Sequence, residues 1–471
     1  MTQPITILQR RADLVDPHDC TDAADDLTIL SALCQTLVRR EGQGFLPALA
    51  ESWTVSADAC QWDFTLRTGV VFQDGAPCDA HAAALSLHRM AREDKGYTLG
   101  APAVWRQYLG QSTIKAKGRH LQIALAQPMA DLLDVLVQGF IVAPNSLARM
   151  DAGDLTAVVG TGPYRLSKVA PGRVEVTSVA QGPDLIFQAM PDAEERAEAL
   201  RDGAAHVATN LPFGADLGSG VTRVETLNPV AIIFLMNAAK GPLADSRVRR
   251  ALAIAIDRDA LIAEVMAGGA TPLYGFVSPA HFGASHSPTP PRDLALARTL
   301  LADAGYPDGL TLGVSCPTRL PDEAMHLTAA LGAQLAQIGA TLDVHYHEDR
   351  EAYAHMVRRK EIADLAVFDS SPLSTYRVLV EKLDARVKGA WWQGYHNAEV
   401  EDLIDQGRRS ADMEIRAALY ARAYRAMQTD PAWLTLYNPI RVTGIAGNHP
   451  GFALGSDAVL DVTQLPQVFH G

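Results

Sequence analysis

Residues 310–346 read LTLGVSCPTRLPDEAMHLTAALGAQLAQIGATLDVHY. Leu310, Leu312 and Val314 alternate with smaller or polar residues, which predicts a strand over 310–314. Leu327, Leu331 and Leu335 recur every fourth residue, which predicts a helix over 323–338 with one apolar stripe. Gly339 closes it. Thr341 to Tyr346 reads as the next strand. Strand, helix and strand at this spacing require a crossover, so the fold class is α/β with a parallel sheet.

The same grammar runs upstream. Asp245 is placed to cap a helix carrying Val248, Leu252 and Ile256. Asp259 is expected to open another through Leu261, Ile262, Val265 and Met266, stopped by Gly268 and Gly269. A helix over 293–304 follows Pro290 and Pro291. Downstream, 397–410 and 412–429 read as helices, and the tail from Trp433 as short strands and turns. The first third reads instead as strands broken by turns. Residues 62–67 and 119–125 alternate, and Asp74-Gly75 marks a turn. Asp79 can cap a helix through Ala82, Leu85 and Met90. Residues 160–164, Gly-Thr-Gly-Pro-Tyr, form a tight turn into more strand.

The chain has 471 residues, with 41 Lys+Arg against 54 Asp+Glu, a net charge of −13. Hydrophobic residues make up 48%, which excludes long disorder and fibrous architectures. The acidic balance argues against nucleic acid as a partner. The densest apolar run, 229–236, falls far short of the ~18–20 residues of a spanning helix. Residues 1–11 lack the features of a secretory signal, so the protein is either cytoplasmic or has lost its signal. Cys20, Cys34, Cys60, Cys78 and Cys316 show no metal spacing and read as mostly buried thiols.

No phosphate loop, dinucleotide fingerprint, serine elbow or zinc helix occurs, so no catalytic residue is assigned. His345 and His347 share one face of a strand and could offer two imidazoles to a metal. A solvated lobe edge is the simpler reading, and no metal and no cofactor are assigned.

Several segments together resemble the dipeptide/oligopeptide/nickel-binding family of ABC-importer solute-binding proteins. They are Leu46 to Trp53 with Trp62 to Gly75; Val159-Gly-Thr-Gly-Pro-Tyr164; Asn237 through Arg247 to Arg258; Leu300 to Gly309; and Gly394-Tyr395-His-Asn397 with Val400 to Ile404. They occur in the family's order. The resemblance implies a bilobal periplasmic-binding-protein-like fold with a hinge. Lobe one would take 1–37, 160–236 and 440–471, with an extra subdomain over 38–159 inserted in it. Lobe two would take 237–439. The lobes would close over a solute that leaves chemically unaltered. The partners implied are a small-molecule or short-peptide ligand and a membrane permease, with the protein itself a periplasmic monomer whose signal has been removed.

The resemblance also carries site residues. Arg319 matches the position that holds a peptide carboxylate, and a guanidinium fork suits that anion. Asp369 matches the position that holds the ammonium. Surface charge for Arg319 and a turn cap for Asp369 are the ordinary alternatives. The family's Trp and second Asp near this point are missing, since 366–372 read AVFDSSP. Trp391, Trp392 and Tyr395 follow, and their faces could clamp an apolar or cationic group, with core packing as the rival. Cys20, Thr21 and Asp22 lie where lobe one of family members meets ligand. The nickel-chelate branch has an Arg just before the segment matching 140–144, and Gln138 stands near there instead. A short zwitterionic solute is therefore expected. A metal chelate, an opine or sugar-like solute, a cytoplasmic sensing module and, last, a hydrolase are the alternatives.

Overall fold

Ala231–Met236 is buried at all six positions. A short run so apolar suits a strand covered on both faces. It pairs antiparallel with Leu365–Ser370 on one side and with Trp433–Ala446 on the other. Leu310–Pro317 runs parallel to Leu365–Ser370, and Ala340–His347 lies parallel beyond it. Ala270–Pro272 adds to Trp433–Ala446. Ile232, Phe234 and Met236 share a core with Val248 and Leu252 of helix Ser246–Ala255 and with Leu327 and Leu331 of helix Ala324–Leu335. Each large side chain so buried contributes about 1.5–3 kcal/mol.

This computed structural model describes residues 3–98, 103–227, 229–273, 275–284, 290–319, 321–370, 372–455 and 457–470. The chain forms two compact units, Leu227–Ile440 and Met1–Thr226 with Arg441–Gly471. It passes from one to the other twice. Ala231–Met236 packs in the core of the second unit.

In the first unit Ile5–Gln9 lies parallel between Leu185–Ala189 and Val207–Leu211. Arg173–Ser178 and Tyr164–Ala170 continue the sheet as an antiparallel hairpin. A separate four-stranded sheet, Ala50–Val55, Gln61–Leu66, His120–Ala124 and Thr113–Lys117, carries helix Ala80–Met90 against it.

Local chemistry explains several boundaries. Asp79 accepts from the amides of His81 and Ala82, and Asp245 from that of Arg247. The helix expected to open at Asp259 is Arg258–Met266, and Asp257 caps it by accepting from Ala260 N–H. Asp259 lies inside its first turn, where its charge suits the helix dipole. The tail expected as short pieces is one 14-residue strand, Trp433–Ala446. Pro439 reads as a break, yet it sits opposite Ala270 of the short edge strand, where a missing donor is tolerated. Gly160 and Gly162 owe their identity to close approach, not to a positive φ. A Cβ at Gly160 would lie 2.1 Å from Leu33 O, and one at Gly162 2.4 Å from Ala32 O. Gln73 secures this turn by donating to the carbonyl oxygens of Gly162 and Tyr164 at 3.1 and 2.6 Å.

Candidate functional site

The parallel pair in the second unit sets the site. Val314 lies opposite Leu365, and Ser315 opposite Ala366. Arg319 and Asp369 therefore emerge at the carboxyl ends of neighbouring parallel strands, the end at which α/β sheets present ligand-binding groups. Arg319 is exposed in the bend after Leu310–Pro317. Asp369 is half-buried as the next-to-last residue of Leu365–Ser370. Among the described residues, neither charged group has a hydrogen bond or an ion pair. An opposite pair at one sheet end, with its charges uncommitted, can take the two ends of a zwitterion.

Phe368 precedes Asp369, and its ring packs on Trp391 at 5.0 Å with a tilt of 47°. The aromatic pair is thus anchored to the strand through the residue before Asp369, whose own side chain alternates to the other face. Trp391 is buried, and its N–H donates to Glu381 O at 3.2 Å. Trp392 donates from Nε1 to Tyr395 O at 2.6 Å, and the Lys388 ammonium lies 5.7 Å from its ring. Tyr395 is different. It is 2% exposed, its hydroxyl donates to Asp430 O at 3.1 Å, and Arg249 faces its ring at 5.8 Å. Both its polar and its aromatic capacity are used inside the unit.

The first-unit residues have local work too. Cys20 is buried, and its N–H donates to Tyr97 O at 2.8 Å. Thr21 donates to Asp26 at 2.8 Å and accepts from Ala23 N–H, which shapes the entry to helix Ala24–Leu33. Asp22 accepts from Gln138 Nε2 at 2.9 Å. The oxygen of that amide, Gln138 Oε1, is buried without a hydrogen bond among the described residues. Beside them Asp19 is pushed up to about 6, by burial and then by the nearby Asp16 carboxylate. Burial pushes the thiols of Cys34 and Cys78 up to about 12, so both stay protonated and unreactive.

His345 and His347 lie on the edge strand Ala340–His347, with Asp343 3.6 Å from His345. No group of three or more His, Cys, Asp or Glu able to hold a metal occurs among the described residues. Likewise, no helix among them is long and apolar enough to cross a membrane.

The roles of two residues escaped the reading of the sequence, those of Phe368 and Lys360. Lys360 donates to the carbonyl oxygens of Gly389 and Ala390, both at 2.8 Å. Its partners are backbone atoms, which leave no mark in a sequence.

Comparison with known proteins bears on this arrangement. A family model for bacterial extracellular solute-binding proteins, family 5 Middle, matches residues 44–375. The glutathione-binding protein GsiB of Salmonella choleraesuis (strain SC-B67) is 31% identical over 472 residues, spanning 94% of this chain and 90% of its own. The ABC transporter-associated periplasmic binding protein DppA from Helicobacter pylori, solved with the peptide STSA, superposes with a TM-score of 0.80 at 21% identity. That match covers 98% of this chain and 97% of the other. AgaA from A. tumefacien R10, solved with agropinic acid, gives a TM-score of 0.80 at 20% identity, covering 97% and 96%. The α/β periplasmic-binding-protein fold expected from the sequence is the fold of these structures.

Proposed function

We propose, from the premise that this chain belongs to family 5 of the bacterial extracellular solute-binding proteins, that the solute it delivers to an ABC importer is a small zwitterion. A short peptide or an amino-acid derivative fits best. One observation carries this reading: Arg319 and Asp369 stand at the ends of adjacent parallel strands with their charges uncommitted among the described residues. Arg319 takes the carboxylate in a fork, and Asp369 takes the ammonium. Trp391, held against Phe368, offers an apolar surface at the strand end that carries Asp369. Trp392 borders it. Thr21, Asp22 and Cys20 remain candidate contacts of the first unit. The segment 38–159 is read as an inserted subdomain, supported by its own four-stranded sheet. The solute is released unchanged to a membrane permease, and the protein acts as a periplasmic monomer.

An opine is the second reading, favoured by the fold-level match to AgaA. Thermal unfolding with glutathione, the peptide STSA and agropinic acid separates the two. Binding to the native state raises the midpoint by mass action. A rise with glutathione or STSA that Arg319→Ala abolishes supports the zwitterion reading. A rise with agropinic acid alone replaces it with the opine.

A further inference from the structure

The loop between helices Thr375–Lys382 and Ala398–Arg408 carries Trp391 and Trp392 and has no regular structure of its own. Such a loop holds a side chain still only if its backbone is tied down. Two ties come from the helix before it. Trp391 N–H donates to Glu381 O, and Gly389 lies so close that a Cβ there would be 2.5 Å from Glu381 Cα. Others come from the end of helix Arg350–Arg358. Gln393 Nε2 donates to Val357 O at 2.8 Å. The Lys360 ammonium donates to Gly389 O and Ala390 O, the two carbonyls immediately before Trp391.

Lys360 itself is unusual. Its φ is +64°, the left-handed region, just past a helix end where glycine is the usual choice. A lysine there strains the backbone, and a glycine would relieve it. Its ammonium is also partly desolvated, and burial followed by Arg358 pushes it down to about 8. A strained backbone and a dehydrated charge both oppose this residue locally. What it supplies is the clamp on 389–390.

We infer that Lys360 is a positioning residue of the solute site, acting through Trp391: its ammonium fixes the two carbonyls that set the Trp391 ring against Phe368, at the strand end that carries Asp369. This rests on Trp391 being part of the solute site, as proposed above.

The test uses Lys360→Gly, Lys360→Met and Lys360→Arg in the full chain, with Trp391→Leu as background. Lys360→Gly suits the left-handed backbone better, so its ligand-free melting midpoint stays at or above that of the parent. Its affinity for glutathione or STSA, by calorimetry, falls about tenfold, the scale of one charge-assisted hydrogen bond. Lys360→Met falls similarly, and Lys360→Arg recovers most of the loss. In the Trp391→Leu background, Lys360→Met costs nothing further. Without ligand, Lys360→Met shifts tryptophan emission to the red, and Trp391→Leu removes that shift. Parent-like affinity in Lys360→Gly, or losses that multiply in the double variant, would overturn the inference. So would unchanged ligand-free emission, which decides the matter even if neither probe binds. If Trp391→Leu alone leaves affinity unchanged, the aromatic part of the site reading fails instead.

Discussion

Arg89 donates to Nδ1 of His18 across 2.9 Å, and His18 Nε2–H donates to Phe140 O at 3.0 Å. This pair of bonds fixes a buried imidazole in its neutral form. Burial, and then the Arg89 charge, push His18 down to about 4. Asp16 and Asp151 hold the guanidinium in place at 2.6 and 2.9 Å.

The pH response follows from His18 and its neighbour Asp19. The imidazole of the unfolded chain protonates near pH 6.5 and the native one near 4, so His18 costs stability as pH falls through that window. Asp19 has the opposite sign. Its native carboxyl takes up a proton near 6 and the unfolded one near 3.8, so it adds stability as pH falls between them. The two windows overlap and largely offset. Asp19→Asn removes the offset, so the melting midpoint should fall more steeply from pH 6.5 to 4 than in the parent. Calorimetry across that range checks this, and parallel curves would contradict it.

Gly162→Ala should destabilise the first unit by about 3 kcal/mol, the upper range for forced overpacking. The new methyl would meet Ala32 O at 2.4 Å and Leu33 C at 2.5 Å, and both are backbone that cannot swing aside. Gly75→Ala is the contrast. Nothing lies within 4 Å of its Cβ position, so only its φ of +86° is violated, and the loss should be about 1 kcal/mol. Urea unfolding of both variants measures the difference.

Glu381→Ala should cost about 3–5 kcal/mol, the usual loss when one member of a buried ion pair is removed. Arg377 and Glu381 stand one helical turn apart at 3.3 Å, with side chains 3% and 2% exposed. Replacing both by Met should recover part of the loss, because the Arg377 guanidinium is then no longer buried without Glu381. Denaturant titration of the single and double variants tests the recovery.

How much of this was legible beforehand depended on whether a feature was local. The strand, helix and strand over 310–346 announced themselves by period, and Asp79 and Asp245 by their place before an apolar stripe. Asp369 could be placed only through the family resemblance, which matches it to the ammonium-holding position after the apolar run Leu365 to Phe368. The single strand Trp433–Ala446 could not, because Pro439 looks like a break until its edge partner is known. Likewise, nothing local in Ala231–Met236 says which core it enters. Lys360 was invisible, since its partners are carbonyls 29 and 30 residues away.

The most direct measurement titrates the peptide STSA, its N-acetylated form and its C-amidated form into the parent, Arg319→Ala and Asp369→Asn. Amidation should weaken binding to the parent by about 10–100-fold, the scale of lost charge-assisted bonds, and should change nothing further in Arg319→Ala. Acetylation should behave the same way toward Asp369→Asn. If the parent binds capped and free peptide alike, Arg319 and Asp369 do not hold the two ends of a zwitterion.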